Sequence, residues 1–188
     1  MKFIPTEIPD VIIVEPDVFC DHRGFFMEAW NAEKFAKGGI DAQFVQDNHS
    51  RSSQGILRGL HYQIKQPQGK LVRVLSGEVF DVVVDLRRNS PTFGKWFGMY
   101  LNDISKQMLW VPPGFAHGFY VVSEQADFFY KCTDLYAQEH ERAIRWDDPD
   151  LAIDWPLIEG QKPILAPKDA EAKSFKEAEV FEKWKVRK

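Results

Sequence analysis

Chemically competent side chains crowd into a few short stretches of this chain. The densest spans residues 47–63, DNHSRSSQGILRGLHYQ. It carries an imidazole, His61, three positions after a guanidinium, Arg58. An imidazole with an ordinary pKa of about 6.5 can serve near neutral pH as a base, an acid or a metal ligand. On a regular strand, residues three apart face opposite sides. Gly59 between the two permits a bulge that would turn both toward one cavity, and Gln63 shares the face of His61. A second block, DHRGFFMEAW, offers Arg23 and Glu28 around a turn at Gly24. A third, QPQGKLVRVLSGEVFDVVVD, puts Lys70 at the start of a strand and Asp81 inside an otherwise apolar one. An unpaired carboxylate there is costly, so Asp81 needs a partner, and a histidine is the natural one. His117, in WVPPGFAHGF, is a candidate for that structural role, for a site, or for both.

Strands must position these groups. Short runs rich in β-branched and aromatic residues cover 71–76, 79–86, 97–101, 108–111, 118–122 and 126–133, separated by Gly, Pro, Asn, Asp or Ser. Many short strands with frequent turn signals predict a sandwich or barrel. Gly77-Glu78 reads as a tight turn between two antiparallel strands. Helix is expected over 31–37, with Asn31 as its cap, Glu33 in its first turn and Gly38-Gly39 as its stop. The charged stretch 169–188 carries Phe175, Val180, Phe181 and Trp184. It reads as a partly helical tail packed on the barrel or on a neighbour. Residues 4–14 include β-branched residues with no obvious hairpin partner nearby, which leaves room for a strand exchanged between subunits. No linker, repeat or low-complexity segment divides the chain, so residues 1–188 read as one domain.

Composition removes whole classes. With 44% hydrophobic residues and a net charge of −4 over 188 residues, the chain is neither disordered nor a general binder of nucleic acid. Its 2 cysteines, Cys20 and Cys132, cannot form a disulfide framework or a cysteine-rich zinc site. Pro5, Glu7, Pro9 and Asp10 interrupt any signal-peptide core, and no apolar run reaches the roughly 18 residues of a spanning helix. A soluble cytoplasmic protein with no membrane partner is expected.

The run of residues 112–117, PPGFAH, fits the second motif of the cupin signature, PxGxxH. The first motif normally supplies an HxH pair and a glutamate as metal ligands. Here the matching segment is His61-Tyr62-Gln63, with glutamine at the second histidine's place. Two histidines make a poor metal site. The expectation is therefore a mainly β, cupin-like jelly-roll β-barrel or sandwich with a few short helices, working without a metal. A metal-dependent cupin and a non-catalytic sugar-nucleotide binder are the alternatives from other classes.

The motifs DHRGFFME, FVQDNHSRS, GILRGLHYQ, QGKLVRVLSGEVFDVVVDLR, SPTFGKW, WVPPGFAHGF, FYKCTDLY and PILAPKD occur in that order. Together, over roughly residues 14–169, the chain closely resembles the dTDP-4-dehydrorhamnose 3,5-epimerase family. The resemblance implies a jelly-roll homodimer, no metal or other cofactor, and a thymidine-diphosphate 4-keto sugar substrate on the route to L-rhamnose of bacterial envelopes. By motif, His61 matches the general base, Asp169 the carboxylate that orients it, Tyr130 the general acid opposite and Lys70 the cation beside the keto oxygen. Arg23, Glu28, Gln46, Asp47, Asn48, Arg58, His117, Glu141 and Lys168 match substrate contacts, and Tyr136 matches the aromatic that stacks on thymine. A relative that acts at one carbon shares the base and cation and can differ at the acid position.

Such chemistry suits these residue types. Epimerisation beside a ketone removes a proton and returns it on the other face, through an enolate. A histidine base paired to a carboxylate, a fixed cation at the developing oxyanion and a phenol on the far side meet those needs. Arginine forks suit the diphosphate and a flat ring suits the thymine.

Overall fold

The computed structural model describes residues 1–184. In chain order the strands are β1 (Lys2–Pro5), β2 (Ile12–Glu15), β3 (Val18–Asp21), β4 (Gly24–Met27), β5 (Gln46–Ser53), β6 (Leu57–Gln63) and β7 (Lys70–Ser76). Then come β8 (Glu78–Asp85), β9 (Trp96–Asn102), β10 (Met108–Val111), β11 (Phe115–Val121), β12 (Gln125–Cys132) and β13 (Glu141–Ala143). Helices are short: α1 (Ala32–Lys37) and α2 (Pro167–Ala170).

Side-chain alternation along the strands builds two packed faces. On β8, Val79 and Val83 point into a core shared with Val72, Val74 and Phe128 of the opposing sheet, while Val82 and Val84 point outward into a second cluster. That second cluster is covered by Leu151, Trp155 and Phe181 from the long C-terminal segment. A strand covered on both faces reads as a continuous apolar run, which is why FAHGFYV of β11 is buried throughout. The result is a sandwich of a six-stranded sheet, ordered β1-β2-β10-β7-β12-β5, and a five-stranded sheet, ordered β13-β6-β11-β8-β9. A separate hairpin, β3-β4, belongs to neither. Among the described residues no helix is long and apolar enough to cross a membrane.

Helix α1 starts where expected. The Asn31 side chain accepts the Lys34 N–H, and Gly38 closes the helix. Its Phe35, with Ile40, covers Leu71, Met108 and Trp110 on the outside of the six-stranded sheet.

Two expectations change. Gly77 does turn the chain, at φ 81°, but β7 and β8 are not paired: the turn carries the chain from one sheet to the other. A Cβ on Gly77 would lie 2.1 Å from the Gln125 carbonyl oxygen, so the corner has room only for glycine. Residues 4–14 find their partners within the chain, β1 pairing with β2 and β2 with β10. The free hairpin is the next one along. As expected, the tail is partly helical: among its described residues, α2 and one turn at Phe175–Glu177 are helical and the rest is mostly irregular. It is held by Phe181, whose N–H donates to the Leu86 carbonyl while its own carbonyl accepts from the Arg88 N–H. The last four residues of that stretch, 185–188, lie outside the described residues.

Candidate active site

The strand that carries His61 is irregular at the glycine singled out in the sequence. Between β6 and β11 the register shifts, His117 facing His61 but Phe119 facing Arg58. Gly59 has φ 130°, and a Cβ there would meet the Gly118 Cα at 2.5 Å. With the parity reset, Leu57, Leu60 and Tyr62 join the outer cluster. Arg58 and His61 both line a cavity of about 400 Å³ between the two sheets.

His61 enters from the five-stranded sheet. Its Nε2 lies 2.5 Å from Oδ1 of Asp169, a carboxylate only 1% exposed. Asp169 is delivered by α2, just after Pro167 opens that helix. Tyr130 enters from the opposite wall, on β12 of the six-stranded sheet. Burial pushes its phenol up to about 12, so it stays protonated across the physiological range. Lys70, on the neighbouring β7, places its ammonium 5.8 Å from the centre of the Tyr130 ring. Burial holds Lys70 below the ordinary lysine range, against the opposing influence of Cys132, Asp81 and Glu141.

Asp81 has the partner its burial requires. His117 Nε2 sits 2.9 and 3.1 Å from its two oxygens. Burial raises the Asp81 carboxyl above the usual range, with His117 and Lys70 pulling the other way. His117 also lines the cavity, stacked near Phe128 with centroids 5.9 Å apart. It therefore meets the structural expectation by bonding Asp81 and also faces the cavity.

Arg58 and Lys168 add two cationic side chains to the lining. Arg58 donates its Nε–H to the buried Ser52 Oγ at 3.0 Å. Its terminal nitrogens have no hydrogen-bonded partner among the described residues. Lys168 pairs with Glu141 at 2.9 Å, and the Tyr136 hydroxyl donates to the other Glu141 oxygen at 3.2 Å. Burial raises the Glu141 carboxyl, but the bond to Lys168 and its charge outweigh that and hold it ionised.

Of the residues singled out, His61, Lys70, Tyr130, Asp169, Arg58, His117, Glu141 and Lys168 line this one cavity. Gln46, Asn48 and Tyr136 adjoin it: Asn48 lies across from Tyr130, and Gln46 bonds both Asn48 and the Tyr136 backbone. Three residues lie elsewhere. Asp47 takes the opposite strand parity and pairs with Lys131 on the outer face. Arg23 binds Asp21 on the β3-β4 hairpin, and Glu28 binds Lys34 just beyond it. The cavity also uses Ser50, Phe119, Phe128 and the 164–166 segment. Alternation from Asn48 could have found Ser50. The two phenylalanines look like any core aromatic in the sequence. Among the described residues, no three His, Cys, Asp or Glu side chains form a metal-binding group.

Residues 5–177 match the family described as dTDP-4-dehydrorhamnose 3,5-epimerase. The enzyme of that name from Pseudomonas aeruginosa is 58% identical over 182 residues, covering 96% of this chain and 99% of its own. The solved dTDP-6-deoxy-D-glucose-3,5-epimerase from Legionella pneumophila, in complex with dTDP-4-keto-L-rhamnose, superposes with a TM-score of 0.94 at 52% identity. That match covers 98% of this chain and 99% of the other. A 3'-monoepimerase from Streptomyces bikiniensis, in complex with dTDP-quinovose, is more distant at 32% identity and a TM-score of 0.84, over 93% and 87% of the two chains. The chain belongs to the dTDP-4-dehydrorhamnose 3,5-epimerase family.

Proposed function

We propose that this protein converts dTDP-4-dehydro-6-deoxy-D-glucose to dTDP-4-dehydro-L-rhamnose by inverting C3 and C5 through an enolate. The observation that carries the mechanism is that His61 and Tyr130 enter one cavity from opposite sheets, beside the ammonium of Lys70. With Nε2–H donating to Asp169, Nδ1 of His61 keeps its lone pair and can take the proton on carbon. Asp169 stabilises the resulting imidazolium and fixes its tautomer. Lys70 faces the charge that develops on the 4-keto oxygen, in a buried site where such a charge counts most. Tyr130 returns a proton from the other side, which gives inversion. The ketone flanks both C3 and C5, so one base and one acid serve both carbons if the sugar readjusts. Arg58 and Lys168 meet the diphosphate, and Tyr136 at the rim stacks on the thymine.

We also propose that the protein works as a homodimer in the cytoplasm. Arg23 and Glu28 match substrate contacts yet neither lines this chain's cavity, and the β3-β4 hairpin presents Phe19, Phe25 and Phe26 at 65%, 58% and 71% exposure. Exposed aromatics on a hairpin outside both sheets suit burial against a second copy.

Incubation with dTDP-4-dehydro-6-deoxy-D-glucose in deuterated water, followed by NMR, tests the reaction. Deuterium is expected at both C3 and C5. Label at C3 alone would instead assign the single-carbon activity named for the Streptomyces bikiniensis relative, and no label would refute epimerisation of this substrate.

A further inference from the structure

We infer that Gln63 is a positioning residue for the nucleotide site: together with Gln46, its side-chain amide fixes the backbone on both sides of Tyr136 and presets the ring that receives the base. The inference rests on the stacking role proposed for Tyr136.

Tyr136 lies between β12 and the turn at Gln138–His140 and is 52% exposed. Its segment has no strand partner of its own, so side chains must hold it. Gln63 Nε2 donates to the Leu135 carbonyl at 3.2 Å and to the Gln66 carbonyl at 2.7 Å. Gln63 Oε1 accepts the Ala137 N–H at 2.9 Å. Between these two attachments, the Tyr136 N–H donates to Gln46 Oε1 at 2.9 Å. Gln63 comes from β6 and Gln46 from β5, so three consecutive residues are tied to both sheets.

The residue type follows from this geometry. The position must supply two donors and one acceptor, which a primary amide does and a neutral imidazole, with one of each, does not. The amide cannot be reversed, because its oxygen would then face two carbonyls and its NH2 an N–H. Gln63 is 4% exposed and takes no part in the proton transfers. It stands two residues after His61, where the cupin pattern places its second histidine. In this chain that position serves the backbone of the neighbouring loop.

A platform fixed in advance lowers the ordering cost of binding. Loss of Gln63 should therefore appear in nucleotide affinity rather than in turnover. The test uses full-length protein and thymidine diphosphate, with calorimetry on Gln63→Leu, Gln63→Met, Tyr136→Ala and the double variants. Gln63→Met keeps a flexible chain of similar length and serves if the leucine variant folds poorly. Expected are a roughly tenfold weaker Kd in either Gln63 variant, kcat at saturation within about threefold, and no further loss of affinity on the Tyr136→Ala background. An unchanged Kd, an equal loss on both backgrounds, or a fall in kcat without a change in Kd would overturn the inference. If Tyr136→Ala alone leaves Kd unchanged, the stacking role itself falls, a result read from that single variant before Gln63 enters.

Discussion

Proton transfer rests on single side chains, and each can be tested by its own signature. Asp169→Asn keeps the shape but removes the negative charge proposed to support the His61 imidazolium. Turnover should fall by about 10²–10⁴-fold with KM changed only a few-fold, measured by steady-state kinetics. Tyr130→Phe removes the proposed acid and leaves the proposed base. Solvent exchange at carbon should continue while formation of inverted product drops by a comparable factor, as NMR in deuterated water would resolve; loss of both together would argue against separate roles. The pH profile belongs to Lys70. Burial lowers its pKa, so as pH rises the cation proposed to face the enolate is lost before the ordinary lysine value of 10.5 is reached. Activity should therefore fall on the alkaline side with an apparent pKa under 10.5. Tyr130, at about 12, is still protonated there. Lys70→Arg should move this limb upward because a guanidinium keeps its charge. A limb that stays in place would assign it to another group.

At the level of elements, the site depends on one irregularity in β6. Without the bulge at Gly59, strand parity would turn Arg58 and His61 to opposite faces. Gly59→Ala puts a Cβ into a positive-φ position and against Gly118, so it should destabilise the fold by about 2 kcal/mol or more, read from the urea midpoint. Activity should fall further than the loss of folded protein explains, because His61 and Asp169 must stay in register. Helix α1 offers a contrast. Asn31→Ala removes its cap on the outside of the six-stranded sheet and should cost only about 1 kcal/mol by the same urea midpoint.

For the whole molecule, the question is whether a second copy completes the site. The net charge of −4 gives no general attraction for an anionic nucleotide, so affinity must come from local cations such as Arg58 and Lys168. Sedimentation is expected to give a dimer. If the hairpin of one copy serves the cavity of the other, Arg23→Ala and His61→Ala carry defects in different parts of a shared site. Co-expressed, they should recover up to about one quarter of wild-type activity, because half of the dimers are hybrids and each hybrid has one intact site. Activity no higher than the sum of the two variants would place Arg23 outside the site.

The sequence alone determined the chemistry and the scaffold. An imidazole beside a flexible glycine, a lysine opening a strand and short β-branched runs are local facts, and local propensity decides them. Asp81 likewise advertised a partner, because a carboxylate in an apolar strand has few other ways to be stable. Tertiary structure decided what depends on distant pairings. It placed β7 and β8 in different sheets although one glycine joins them, because each strand gains its neighbours from residues far along the chain. It gave residues 4–14 a hairpin partner of their own and left the next hairpin free. It turned Asp47 away from Gln46 and Asn48, since strand alternation assigns faces only once the sheet's inner side is known. It also joined Gln63 and Gln46 around Tyr136, a contact invisible in the sequence because the two amides meet that loop from opposite sheets.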